Sequence, residues 1–282
     1  MKVALVQMVS SQKVEVNLKE AESLIAEAAA AAEFVFLPEN FAALASQDPL
    51  AIGSDEISAG GPIRSFLREI AERHKCWLFA GTFPVVSRPD GSVVSGNRVR
   101  AASLVLNPLG EEVGRYDKIH MFDVAVDDNQ GSYFESKVFE PGENVVTVNC
   151  PLGCVGLTVC YDIRFPELYR RLFAAEADLI TVPSAFTETT GEAHFELLMR
   201  ARAVENCCYL VAACQGGEHD SGRRTWGHSM VVDPWGRVVG ELEKDAGVLV
   251  AEVDPDIRKQ LRHDMPFHLQ QRLIIYQSDI TY

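Results

Sequence analysis

Ala32-Glu33-Phe34-Val35-Phe36-Leu37-Pro38-Glu39 is matched, with substitutions, by Ala177-Asp178-Leu179-Ile180-Thr181-Val182-Pro183-Ser184. Each is a short apolar run closed by a proline, too short for a helix and too continuous for a half-exposed strand. It therefore reads as a strand buried on both faces. Each run follows a helical pattern, Leu18 to Ala32 in one case and Pro166 to Ala175 in the other. Each also precedes a second helix and strand. Pro62 to His74 leads to Trp77-Leu78-Phe79-Ala80-Gly81, and Glu192 to Asn206 leads to Tyr209-Leu210-Val211-Ala212-Ala213.

The echo extends in both directions. Downstream, Ser103-Leu104-Val105-Leu106-Asn107-Pro108-Leu109-Gly110 matches Ser229-Met230-Val231-Val232-Asp233-Pro234-Trp235-Gly236. Each is a strand followed by an Asx-Pro-x-Gly turn, the signal of a hairpin. Upstream, Val3 to Val6 matches Val155 to Thr158. Residues 1–148 and 150–282 thus each read β-α-β-α-β-hairpin. Strands alternating with helices place helices on sheets, and the closing hairpins make those sheets mixed. Two related halves predict a four-layer α-β-β-α sandwich of two mixed sheets with an internal pseudo-twofold repeat. No Gly/Ser/Pro-rich linker separates the halves, so residues 1–282 are expected to form a single domain.

Composition narrows the function classes. The 282 residues carry 26 Lys and Arg against 40 Asp and Glu, a formal net charge of −14. A general nucleic-acid or anionic-membrane binder needs a basic face, so neither is expected. The opening Met1-Lys2-Val3-Ala4-Leu5-Val6-Gln7 reads as a strand rather than a leader. No run approaches the roughly 20 apolar residues that span a bilayer, and a cytoplasmic protein is expected. Cys76, Cys207, Cys208 and Cys214 sit in apolar segments, where a free thiol acts as a small hydrophobe. No paired CxxC or HExxH supplies metal-ligand spacing, and no GxSxG, GxxxxGK[ST] or GxGxxG is present.

Polar residues at strand ends are where α/β folds place chemistry. Glu39 ends the first run, and Cys160 ends Val155-Gly156-Leu157-Thr158-Val159 just before Tyr161-Asp162-Ile163-Arg164. Under the duplication both lie on one rim. A Cys at the end of an apolar strand is most often core. If it faces a cleft it is a candidate nucleophile that needs a base, because a free thiol ionises near pH ~8.5, and Glu39 could be that base. Lys118, taken alone, is a solvated charge; aimed into a cleft it would stabilise an oxyanion. Glu135 is unremarkable by itself. Asp123 to Gly131 reads as a long loop that could border a pocket.

Taken together, Leu37-Pro38-Glu39-Asn40, Tyr116-Asp117-Lys118-Ile119-His120 and Gly156-Leu157-Thr158-Val159-Cys160-Tyr161-Asp162-Ile163-Arg164-Phe165-Pro166-Glu167 resemble the three signature regions of the nitrilase, or carbon–nitrogen hydrolase, superfamily. The order Glu, Lys, Cys agrees, and the resemblance spans essentially the whole chain. It implies an α-β-β-α fold, Cys160 as nucleophile, Glu39 as general base and acid, and Lys118 with the backbone N–H of Tyr161 as oxyanion donors. Glu135 would position substrate and Lys118. The resemblance implies no metal or organic cofactor.

Pro183 to Phe186, Thr190 to Glu196, Arg200 to Glu205 and Gly227 to Gly236 are similar to the branch of amidases that act on deaminated glutathione. The sister branch, ω-amidases acting on α-ketoglutaramate, shares much of this, while Ser184 and Ala213-Cys214-Gln215-Gly216 favour the former. A true nitrilase, or a catalytically weak binding protein, are the other readings. Arg164, in the nucleophile turn, is expected to clamp a substrate carboxylate, with Phe186 and Thr190 lining the same pocket. Fold relatives imply a homodimer or higher even-numbered oligomer, pairing through Phe165 to Phe173 and the helix from Glu192.

Overall fold

The computed structural model describes residues 1–56, 60–128, 131–270 and 272. The first half runs β1 (Lys2–Gln7), α1 (Val14–Ala31), β2 (Phe34–Leu37), α2 (Pro49–Asp55), α3 (Pro62–His74), β3 (Trp77–Ala80), β4 (Phe83–Val85), β5 (Arg100–Leu106) and β6 (Glu112–Asp117). A two-stranded ribbon follows, β7 (Asp123–Ala125) with β8 (Ser132–Phe134). β9 (Thr147–Cys150) closes the first half, and the second runs β10 (Gly153–Leu157), α4 (Pro166–Ala174), β11 (Leu179–Thr181), α5 (Glu188–Asn206) and β12 (Tyr209–Ala212). A second ribbon, β13 (Gly216–Glu218) with β14 (Arg224–Trp226), precedes the hairpin β15 (Met230–Val232) and β16 (Val238–Glu241). β17 (Gly247–Glu252) and α6 (Pro255–Asp264) come after it.

The repeat is visible in the strand pairing. In the first sheet β1, β2 and β3 are parallel, and β5 returns antiparallel to join β6. In the second, β10, β11 and β12 are parallel, and β15 returns antiparallel to join β16. The boundary between the halves is where the sequence reading needs correcting. β17, from the second half, pairs antiparallel with β1, and β9, from the end of the first half, pairs antiparallel with β10. Each half therefore lends its last strand to the other's sheet. The exchange covers an edge that would otherwise expose unpaired backbone. A local alternation pattern marks such a strand without saying which sheet it joins.

Strand alternation sets the layers. Val3, Leu5, Phe34 and Phe36 share a core with Val155, Leu157, Leu179 and Val211 of the second sheet. Their neighbours Ala4, Val6, Val35 and Leu37 pack instead on Ala21, Ile25 and Ala28 of α1 and Ile63, Leu67 and Ile70 of α3. Both faces of the sheets are covered, which is why the runs read as continuously apolar. α5 starts at Glu188, earlier than expected, capped by the Thr187 side chain accepting from the Thr190 N–H at 3.3 Å. Gly191 sits inside this helix, where a Cβ would lie 2.2 Å from the Trp226 Cβ.

Candidate active site

The opening strands end on one rim, and that rim carries the charged groups. Glu39 follows β2 and Pro38, Lys118 follows β6, and Glu135 opens a single 3-10 turn after β8. The end of β2 is fixed by Gly81, whose φ of +38° and contact with the Pro38 carbonyl (1.9 Å from any Cβ) exclude other residues. Gln215 Nε2 donates to the Glu39 carbonyl at 3.0 Å. Lys118 Nζ is 2.7 Å from Glu39 Oε1 and 2.8 and 2.9 Å from the two oxygens of Glu135. The Phe122 N–H donates to Glu135 Oε2 at 2.6 Å.

This cluster is almost dry, with the Lys118 side chain 2% exposed and that of Glu39 4%. Burial alone would lower the Lys118 pKa, but Glu135 and Glu39 together raise it above the ordinary lysine value. Lys118 is therefore a permanent cation. Burial raises the Glu135 carboxyl, against the pull of Lys118.

Cys160 opens a 3-10 turn (Cys160–Arg164) that follows β10 after Thr158 and Val159. Its φ is +47°, left-handed and uncommon for a residue with a Cβ. Buried Asp162 holds the turn: its carboxylate accepts from the Val159 N–H at 2.9 Å, the His120 N–H at 3.0 Å and the Tyr116 hydroxyl at 2.7 Å. The Tyr116 and His120 bonds tie the nucleophile turn to the segment that carries Lys118. Burial, then the charge of the nearby Glu39 carboxylate, push the thiol's pKa well above the usual value. Cys160 thus rests as a neutral thiol beside an acceptor. Tyr161 is the second residue of its turn, where a helical N–H has no intrahelical acceptor.

A cavity of about 260 Å³ opens over these groups. Glu39, Lys118, Glu135, Cys160, Tyr161, Phe186 and Thr190 all line it, so the structure brings together seven of the eight residues singled out in the sequence. Arg164 is the exception. Its guanidinium lies 5.7 Å from the Tyr161 ring centroid and 5.5 Å from that of Phe186, and Nη2 meets His194 Nδ1 at 3.3 Å. It stands beside the wall those rings form, because the turn that exposes Cys160 directs the residue four positions on toward α5. The second cation lining the cavity is Arg223, which had not been singled out. Among the described residues, no group of three or more His, Cys, Asp or Glu is arranged to hold a metal ion.

The sequence profile of the carbon–nitrogen hydrolase family matches residues 2–263. The chain belongs to the carbon–nitrogen hydrolase family. It is accordingly a hydrolase of carbon–nitrogen bonds other than peptide bonds. Among its relatives, the deaminated glutathione amidase of Yersinia enterocolitica is 39% identical over 96% of this chain and 93% of its own. The human protein of the same name is 38% identical over 97% of this chain and 83% of its own. The crystal structure of Nit3 of Saccharomyces cerevisiae, a member of branch 10 of the nitrilase superfamily, superposes with a TM-score of 0.84 at 31% identity, covering 97% of each chain. The NitFhit protein of C. elegans superposes equally well, with a TM-score of 0.84 at 34% identity over 96% of this chain. This hydrolase spans 65% of the NitFhit chain.

Asp162, Tyr116, Gln215 and Arg223 were not assigned to the site from the sequence. Asp162 had the clearest signal, an acidic residue set directly behind an apolar strand, where it must accept buried N–H groups to be tolerated. For Arg223 nothing local marks it out, since only the fold brings the β13–β14 loop over the rim.

Proposed function

We propose that this carbon–nitrogen hydrolase is an amidase that cleaves deaminated glutathione to 2-oxoglutarate and Cys-Gly, with Cys160 as nucleophile. The observation that carries the chemistry is the buried Cys160 thiol lining one cavity with Glu39, whose carboxylate is bound by Lys118. Relatives of that name at 38–39% identity support the substrate.

Glu39 takes the thiol proton as Sγ attacks the amide carbon, and Lys118 and the Tyr161 N–H receive the developing oxyanion. As the C–N bond breaks, Glu39 gives its proton to the departing amine. The acyl group stays on Cys160 as a thioester. Water then attacks, Glu39 takes its proton, and the carboxylate product leaves as that proton returns to sulfur. Glu135 keeps Lys118 aimed between the two carboxylates. These steps use the side chains and water, with no cofactor. Phe186 would contact the acyl chain and Thr190 would offer its hydroxyl. Arg164, beside the cavity wall, would take the α-keto acid's carboxylate only by exchanging its bond to His194 for a paired one.

The protein is further proposed to be cytoplasmic and homodimeric. Leu197 and Val204 on α5 and the neighbouring Trp235 are 68%, 47% and 55% exposed. This is an apolar strip that pairing would cover. The α4 end contributes less than expected from the sequence, because Phe173 is already stacked on Phe267 and covered by Arg262. A concentration-independent monomer mass by light scattering would remove the dimer.

The substrate is tested by comparing deaminated glutathione, α-ketoglutaramate, glutathione and an aliphatic nitrile as limiting substrates. Deaminated glutathione should give the highest kcat/KM. Preference for α-ketoglutaramate would move the protein to the ω-amidases, and equal turnover of glutathione or the nitrile would sink the substrate assignment.

A further inference from the structure

The catalytic cavity continues outward into a second recess of about 520 Å³, and Ala45, Tyr133 and Arg223 line both. Arg223 therefore stands on the border between them. It precedes β14, and the β13–β14 pairing holds its backbone, with the His219 N–H on the Arg223 carbonyl at 2.9 Å. Its guanidinium is anchored at one corner by Nη2 donating to the Ala185 carbonyl at 2.9 Å, and it lies 5.4 Å from the Tyr133 ring centroid. Ala185 lines the same cavity as Cys160, so Arg223 is anchored on the wall that the nucleophile shares.

The charge balance here is unusual. Lys118, the other cation on the cavity wall, is already bound to two carboxylates. No carboxylate among the described residues lies within salt-bridge distance of Arg223, and its buried Nε has no hydrogen-bond partner. Of the acidic side chains lining the outer recess, Asp127 is exposed to solvent and the other two are engaged away from Arg223. Glu188 meets Lys244 and Arg224, and Asp128 accepts from the Tyr133 hydroxyl and the Gly131 N–H. A guanidinium with free donors at the mouth of an otherwise acidic site is a receptor for a carboxylate.

We infer that Arg223 is a specificity-determining residue that receives the terminal carboxylate of the departing amine. The inference rests on the amidase reading above. In a Cys-Gly leaving group that carboxylate lies two residues from the scissile nitrogen, about 7 Å in an extended chain. The leaving group is the bulkier arm of the substrate and must point toward the opening, where Arg223 stands. The acyl end carries its own carboxylate on the opposite side of the scissile bond, so the two anions need separate cations. A small amide that releases ammonia has nothing for Arg223 to hold, and the residue would thereby separate dipeptide amides from simple ones.

The test compares deaminated glutathione with its C-terminal carboxamide and with α-ketoglutaramate, in the wild type, Arg223→Ala and Arg223→Lys. The wild type should prefer the free acid to the carboxamide by about 30-fold in kcat/KM, the scale of a hydrogen bond to a charged group. In Arg223→Ala that preference should fall to near unity, with the loss mainly in KM, and Arg223→Lys should restore part of it. α-Ketoglutaramate should lose no more than the carboxamide does. An unchanged acid-to-carboxamide preference in Arg223→Ala overturns the inference. So does an equal loss on all three substrates, which would mark a structural or acyl-end role. If the wild type turns over α-ketoglutaramate but neither glutathione-derived amide, the substrate reading itself fails and the inference with it.

Discussion

Lys118→Ala removes the cation that binds two carboxylates at the base of the cavity. Nζ bonds Glu39 at 2.7 Å and Glu135 at 2.8 Å, with the lysine side chain 2% exposed. Breaking a buried ion pair by deleting one partner costs about 3–5 kcal/mol, because the remaining charge is stranded. Here two are stranded, and they recover part of the loss by binding a proton. That recovery gives the prediction its sign. Burial already raises the Glu135 pKa in the native state, and without Lys118 it rises further. The unfolded chain has an ordinary carboxyl near ~4.3, so between those values the folded state binds more protons than the unfolded one. The variant's deficit should accordingly be smallest near pH ~5 and grow as pH rises toward ~8. Urea unfolding followed by circular dichroism across that range reads it, and adding Glu135→Gln should restore part of the stability. Amide turnover should fall by at least about 10²-fold, since the oxyanion donor is lost. A deficit below about 1 kcal/mol with no pH dependence, or a near-normal kcat/KM, would show that the cluster is solvated and the reasoning wrong.

Further outcomes concern the nucleophile, its turn and the carboxylate clamp. An electrophilic substrate analogue should label Cys160 faster than any other cysteine by peptide mapping. Cys160→Ser should stay inactive, because Glu39 is too weak a base for a hydroxyl. Asp162→Asn should cost about 2–3 kcal/mol in thermal unfolding, the scale of lost charged hydrogen bonds, and depress kcat more than KM by releasing the turn that fixes Cys160. Tyr116→Phe should do the same more weakly. Arg164→Lys should raise KM for deaminated glutathione by about tenfold while leaving kcat less affected, since lysine cannot make paired hydrogen bonds; an unchanged KM would leave Arg164 a structural partner of His194.

The sequence was most informative where a residue's neighbours in the chain are also its neighbours in space. The runs at Phe34–Leu37 and Leu179–Thr181, the helix Pro62–His74 and both Asx-Pro-x-Gly hairpins are local signals, and the structure keeps them. The exchanged strands β9 and β17 were not legible, because pairing across the halves is a long-range choice. The signature motifs pointed to Glu39, Lys118 and Cys160, but their environment needed the fold. A lysine reads as solvated until the strand end that carries it is seen to point inward. Arg164 and Arg223 make the same point in opposite directions. The former stands near the nucleophile in sequence yet beside the cavity wall, and the latter lies far along the chain yet on the cavity's border.

The central claim is a thioester on Cys160 formed from deaminated glutathione. Rapid mixing of protein and substrate, acid quenching and peptide mass mapping would read it directly. The account expects a 2-oxoglutaryl adduct on the Cys160 peptide, formed in step with the release of one Cys-Gly and decaying to 2-oxoglutarate. An adduct on another cysteine, or steady release of Cys-Gly from Cys160→Ala, would contradict it.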